Sequence, residues 1–113
     1  MAVDMKKYRD KIDKIDAQIL KLYEERMDVA RSIGEYKLEN GLPVYDPARE
    51  DAKLDEVFAS VSNKKYADGA AQLFITLMQA SRELQEEIMG LDDSDYDDFN
   101  WDGEPVELKL TDI

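Results

Sequence analysis

Residues Tyr8–Lys37 read YRDKIDKIDAQILKLYEERMDVARSIGEYK. The stretch holds no proline, and no glycine before Gly34. Apolar residues at Ile12, Ile15, Ile19, Leu22, Val29 and Ile33 alternate steps of three and four. That spacing is the seam of one long helix packed against other helices. Between Leu22 and Val29 the seam is due an apolar residue and carries Arg26 instead. A guanidinium in an apolar seam is costly unless an anion meets it.

Outward from this stretch, residues 1 to 5 read as a frayed start. The first helix is expected from Asp4 or Met5 to about Leu38. At about 1.5 Å per residue it is about 50 Å long, more than a compact monomer of this size accommodates, so a homodimer is expected. Asp46-Pro47 signals a second helix, with Asp at the N-cap and Pro at the first helical position. It is expected from Pro47 to about Val61, burying Leu54, Val57, Phe58 and Val61. A third helix is expected from about Tyr66 to Met89, capped by Gly90. Its seam reads Ala70, Leu73, Leu77, Ser81, Leu84 and Ile88, with Gln85 one turn beyond Ser81. The architecture is therefore all-α: a three-helix protomer led by one long N-terminal helix. Residues 1–90 form the helical domain and residues 91–113 an acidic C-terminal tail.

The net charge of −12 is unevenly spread. The tail from Leu91 holds nine acids against one lysine, whereas the first 90 residues hold 18 acids and 14 bases. With no basic patch, nucleic-acid binding is not expected. The 113 residues include no cysteine and no histidine, which excludes disulfides, thiolate zinc sites and Ser-His or Cys-His catalysis. Neither a signal peptide nor a run of membrane-spanning length is read, and a cytoplasmic location is expected. The tail interleaves Tyr96, Phe99 and Trp101 with aspartates and ends in an alternating Val106–Leu110 stretch. It reads as an extended or disordered extension. The sharper alternative is that its aromatics dock on the helical body or on a partner enzyme.

Polar residues interrupt the apolar faces in a pattern. Arg26 and Lys37 lie eleven residues apart, about three turns, and so share one face. Ser81 and Gln85 share a face of the third helix. Asp46, Arg49 and Glu50 cluster at the start of the second. Arg9 lies on a different face from Arg26. Each has a plain structural reading: a snorkelling arginine, an N-cap, a hydroxyl satisfied by the helix backbone, a surface glutamine. Together they describe a helical dimer with a pocket for a small polyanion between helices.

These residues also carry a resemblance. Arg9 in YRDKIDKID, Arg26 in LYEERMDVA, Lys37 closing GEYK, Asp46, Arg49 and Glu50 in PVYDPAREDA, and Ser81 and Gln85 in SRELQ stand in one register. Over about residues 5–90 the chain resembles the all-helical, AroQ-class chorismate mutases. The resemblance implies an intertwined homodimer with two equivalent sites. Each site takes Arg26, Lys37, Asp46, Arg49, Glu50, Ser81 and Gln85 from one chain and Arg9 from the other. It implies rearrangement of chorismate to prephenate with no cofactor and no metal. In that scheme Arg9 and Arg26 bind the two carboxylates, with Ser81 supporting one. Glu50 accepts from the ring hydroxyl, and Lys37 and Gln85 donate to the ether oxygen. For Asp46, the N-cap role competes with ligand contact. The alternatives are an isochorismate pyruvate-lyase on the same fold and a non-catalytic helical dimerisation or regulatory module.

Overall fold

A computed structural model describes residues 4–90. Along the chain run α1 (Met5–Asn40), α2 (Pro47–Ser60), a single 3-10 turn (Lys64–Tyr66) and α3 (Ala67–Met89). The described residues are helical throughout their regular elements, with no strand among them. The three-helix, all-α expectation is met. The tail, including Tyr96, Phe99, Trp101 and the Val106–Leu110 stretch, lies outside the described residues. Among those described, no helix is long and apolar enough to cross a membrane.

Helix ends form where the capping chemistry puts them. Gly41, at φ 67°, closes α1. The Leu42 N–H reaches the Lys37 carbonyl at 2.9 Å and the Gly41 N–H reaches that of Leu38 at 3.5 Å, the paired bonds of a Schellman cap. At the start of α2, Asp46 Oδ1 accepts from the Arg49 N–H at 3.1 Å, ahead of Pro47 at the first helical position. Lys64 Nζ donates to the Phe58 carbonyl at 2.7 Å at the end of α2, where a cation also suits the helix dipole. Gly90, at φ 74°, ends α3.

The central element is α3, packed against both α1 and α2. Its buried residues are Ala71, Met78 and Gln85, seven apart. The expected seam sits to one side of this line, and Leu73 within it is exposed. A helix with neighbours on two sides buries the strip between the two contacts rather than the centre of its apolar face.

On α1 the protomer buries a different strip from the apolar seam. Within the protomer, the Ile12–Ile33 seam is not the packed face: Leu22 is 62% and Val29 59% exposed. What α1 buries are Ala30 and Gly34. Small residues let two helix backbones approach closely, which large branched side chains prevent. Every residue from 4 to 25 is exposed, so the N-terminal half of α1 projects from the body and sets the 59 Å longest dimension. Phe58, expected to be buried on α2, is 44% exposed, while Val57 is buried as expected.

Gly34 is where the approach is closest. A Cβ there meets Gln85 Cγ at 3.0 Å, Ile88 Cδ1 at 3.1 Å and the Gln85 Cα at 3.3 Å. The last of these is backbone and cannot swing aside. Gly34→Val is therefore expected to push α1 from α3 and to destabilise by about 1–3 kcal/mol, the usual cost of overpacking. Urea unfolding followed by circular dichroism measures it, and no loss of stability would contradict the packing described.

Candidate active site

A cleft of about 550 Å³ opens between the C-terminal half of α1, the 41–46 loop, the first turns of α2 and the middle of α3. Seven of the eight residues singled out in the sequence line it: Arg26, Lys37, Asp46, Arg49, Glu50, Ser81 and Gln85. Arg9 does not. It precedes Arg26 by seventeen residues, about 25 Å along the helix axis, on the projecting arm.

Arg26 sits where α1 crosses α3. Its Nη1 donates to Ser81 Oγ at 2.7 Å and to the Leu77 carbonyl at 3.2 Å. The Ser81 hydroxyl in turn donates to the same carbonyl at 3.0 Å. These bonds fix the guanidinium without neutralising it. Among the described residues, the other guanidinium N–H groups meet no protein acceptor. Lys37 is held in the same manner, Nζ donating to the Val44 carbonyl at 2.8 Å. Both cations are therefore anchored by neutral oxygens, and their charge remains available to a ligand.

Gln85, which the sequence left open to a surface reading, is only 6% exposed, and its Oε1 is buried with no hydrogen-bond partner. A buried amide lacking a partner costs roughly 1–3 kcal/mol, which a ligand group in the cleft could recover. Because amide oxygen and nitrogen exchange places by a simple flip, the side chain can offer either acceptor or donor there. The missing Cβ of Gly34 is what leaves room for this side chain against α1.

Two features of the wall were not found from sequence. Arg82 Nη1 donates to both carboxylate oxygens of Glu50, at 3.2 Å each, and its guanidinium lies over the Tyr45 ring, 5.2 Å from the centroid. Lys53 also lines the cleft but pairs with Glu56 at 3.0 Å. In the sequence Arg82 looks like an ordinary charge on an amphipathic helix. The available signal was its place between Ser81 and Gln85, three residues before the latter and so on the same side of α3.

The lining thus carries five cations (Arg26, Lys37, Arg49, Lys53, Arg82) and two carboxylates, Asp46 and Glu50. Asp46 is engaged as a cap and Glu50 by Arg82. What is left unmatched is positive, so the cleft suits a small ligand with more than one negative charge.

The family model described as chorismate mutase type II matches residues 8–86. The chain belongs to the chorismate mutase type II family. It is 32% identical over 82 residues to a chorismate mutase of Methanocaldococcus jannaschii, a match covering 72% of this chain and 83% of that relative. It is 45% identical over 54 residues to a bifunctional chorismate mutase/prephenate dehydratase of Aquifex aeolicus, covering 48% of this chain and 15% of that one. It is also 36% identical over 50 residues to a T-protein of Haemophilus influenzae, 44% of this chain and 13% of the other. The match to the chorismate mutase type II model spans Arg9 and every cleft residue named above. Residues 87–113 lie beyond it.

Within this chorismate mutase type II domain, the cap geometry assigns Asp46 a structural task whatever else it does. Asp46→Ala is expected to lower stability by about 1 kcal/mol, with Asp46→Asn close to wild type, because Asn caps as well as Asp. Thermal melts of the three proteins measure this. Equal losses for Ala and Asn would show that the carboxylate charge, rather than the cap, is what counts.

Proposed function

We propose that the protein is a chorismate mutase, converting chorismate to prephenate in one pericyclic step at the cleft between α1, α2 and α3. The reading is supported most by one observation: Arg26 and Lys37 are both anchored by neutral oxygens, facing a cleft whose Gln85 amide lacks a partner. The family membership gives the anion its identity. Chorismate is a dicarboxylate with a ring hydroxyl and an ether oxygen. In the reaction the carbon–oxygen bond to the ring breaks as a carbon–carbon bond forms from the enolpyruvyl methylene to the ring. No proton moves and no covalent adduct with the protein is needed.

Two effects supply the rate. The enolpyruvyl arm must fold over the ring, and holding both carboxylates selects that conformer. Arg26, steadied by Ser81, holds one carboxylate through parallel guanidinium hydrogen bonds. As the ether bond breaks, negative charge grows on its oxygen. Lys37 and Gln85 donate to that oxygen, and the interaction strengthens toward the transition state. Glu50 accepts from the ring hydroxyl, and Arg49 adds to the positive field. Asp46 brings the first turn of α2 to the cleft.

The second carboxylate needs another cation, and the partner's Arg9 supplies it in an intertwined homodimer. Two features favour that assembly. Arg9 is far along α1 from its own cleft, and the apolar stripe of α1 is exposed along the projecting arm. The activity belongs to the helical domain of residues 1–90, and the acidic segment from 91 is an appendage to it. A cytoplasmic location agrees with this chemistry.

Loss of chorismate absorbance on adding the protein, with identification of the product, tests the activity. Prephenate is expected, and pyruvate would indicate the lyase instead. Lys37→Ala is expected to lower kcat by about 10²–10³-fold, as for the loss of one donor to a developing oxyanion, while KM changes much less. A rise in KM alone would refute the charge-stabilisation account.

Subunit mixing tests the shared site. Arg9→Ala and Arg26→Ala proteins, each nearly inactive, are expected to regain activity when mixed, since each hybrid dimer contains one intact site. Exchange without recovery would place Arg9 outside the site.

A further inference from the structure

We propose that Arg82 is a positioning residue, holding the Glu50 carboxylate in the one orientation that accepts the substrate's ring hydroxyl. The proposal rests on the chorismate mutase reading above. Glu50 reaches the cleft from α2 on a side chain with three rotatable bonds. Without a tether, ordering that carboxylate draws on the binding energy of the substrate. The tether comes from another helix: Arg82 on α3 contacts both oxygens of Glu50 at 3.2 Å, with both side chains about three-quarters buried. A single nitrogen makes both contacts, so each carboxylate oxygen keeps a free lone pair for a donor in the cleft.

The tether is itself held. Tyr45 lies under the Arg82 guanidinium at 5.2 Å, a separation at which the ring face attracts a cation. Tyr45 belongs to the loop that Lys37 secures through the Val44 carbonyl. A continuous path therefore joins Lys37, the loop, Arg82 and Glu50. Of the cations near Glu50 on α2 itself, Lys53 is drawn toward Glu56 at 3.0 Å, and Arg49 makes no ion pair with Glu50 among the described residues. Among the described residues, Arg82 is thus the partner that fixes Glu50. The plainer alternative is that Arg82 adds positive charge to the cleft and acts on the ligand directly.

A double-mutant cycle separates these. Wild type, Arg82→Ala, Glu50→Gln and the double variant are compared on chorismate, and wild type and Arg82→Ala also on chorismate methylated at the ring hydroxyl, which cannot donate to Glu50. On chorismate, Arg82→Ala is expected to lower kcat/KM about tenfold, the scale of a modest misplacement. In the Glu50→Gln background, and on the methylated substrate, the same change is expected to cost about twofold or less, within the scatter of independent sites. Arg82→Lys is expected to restore part of the loss. Equal losses in both backgrounds or on both substrates would overturn the proposal in favour of direct action on the ligand. Arg82→Gln, which keeps the stem and a donor, carries the same cycle if the alanine variant does not fold. If wild type leaves chorismate untouched, the functional reading fails and the role of Arg82 falls with it. Lost coupling in an active enzyme overturns the role of Arg82 alone.

Discussion

The close approach of α1 and α3 at Gly34 is the constraint on which the rest depends. It lets the Gln85 side chain lie flat against α1, with its amide in the cleft wall. One turn back along α3 from Gln85 is Ser81, and two turns back along α1 from Gly34 is Arg26. The two meet at 2.7 Å. A wider separation would leave this guanidinium reaching for solvent and the Gln85 amide outside the cleft. The site is thus a by-product of helix packing at one small residue, and packing and site chemistry cannot be altered independently there.

The electrostatics follow from what the cations touch. A buried cation is commonly settled by a carboxylate, which cancels its field. Here Arg26 and Lys37 are settled by a hydroxyl and by carbonyl oxygens of Leu77 and Val44. Those partners satisfy geometry and leave net charge. The carboxylates that line the cleft are engaged elsewhere, Asp46 by the Arg49 N–H and Glu50 by Arg82. An acidic protein thereby keeps a cationic cleft, because its surplus acids lie on exposed helix faces and in the segment beyond residue 90.

Much of this was legible in the sequence, for local reasons. Caps are local: Asp46-Pro47 and Gly90 each mark a helix end through chemistry within four residues, and the helices begin and stop there, while α1 runs two residues past the expected Leu38 to its cap at Gly41. Arg26 was legible because it interrupts a periodic pattern. The opposite held for Arg82, a charged residue where charge is unremarkable, whose pairing with Glu50 spans 32 residues. On α1 periodicity and the intrachain contact point to different residues. Periodicity reports where large apolar residues lie, whereas the α1–α3 contact is made where they are absent, at Ala30 and Gly34. Small residues give little hydrophobic signal, so the intrachain contact was invisible beside the louder seam.

That leaves α1 with two working faces. One, through Arg26, Ala30, Gly34 and Lys37, meets its own α3 and the cleft. The other, through Ile12, Ile15, Ile19 and Leu22, is half exposed or more in the protomer, while Val29 and Ile33 border the cleft. Fully burying such a side chain contributes about 1.5–3 kcal/mol, so covering the exposed half of these four is worth roughly 3–6 kcal/mol, a large share of the stability of a small domain. A protomer with no large side chain fully enclosed among the described residues has little to set against the entropy of ordering a 36-residue helix. On the proposed dimer the two faces solve one problem together. In that proposal association would stabilise the arm, and the stabilised arm would carry Arg9 to the partner's cleft. Stability would then depend on protomer concentration, and the cation proposed for the second carboxylate would be present only when the dimer is fully formed.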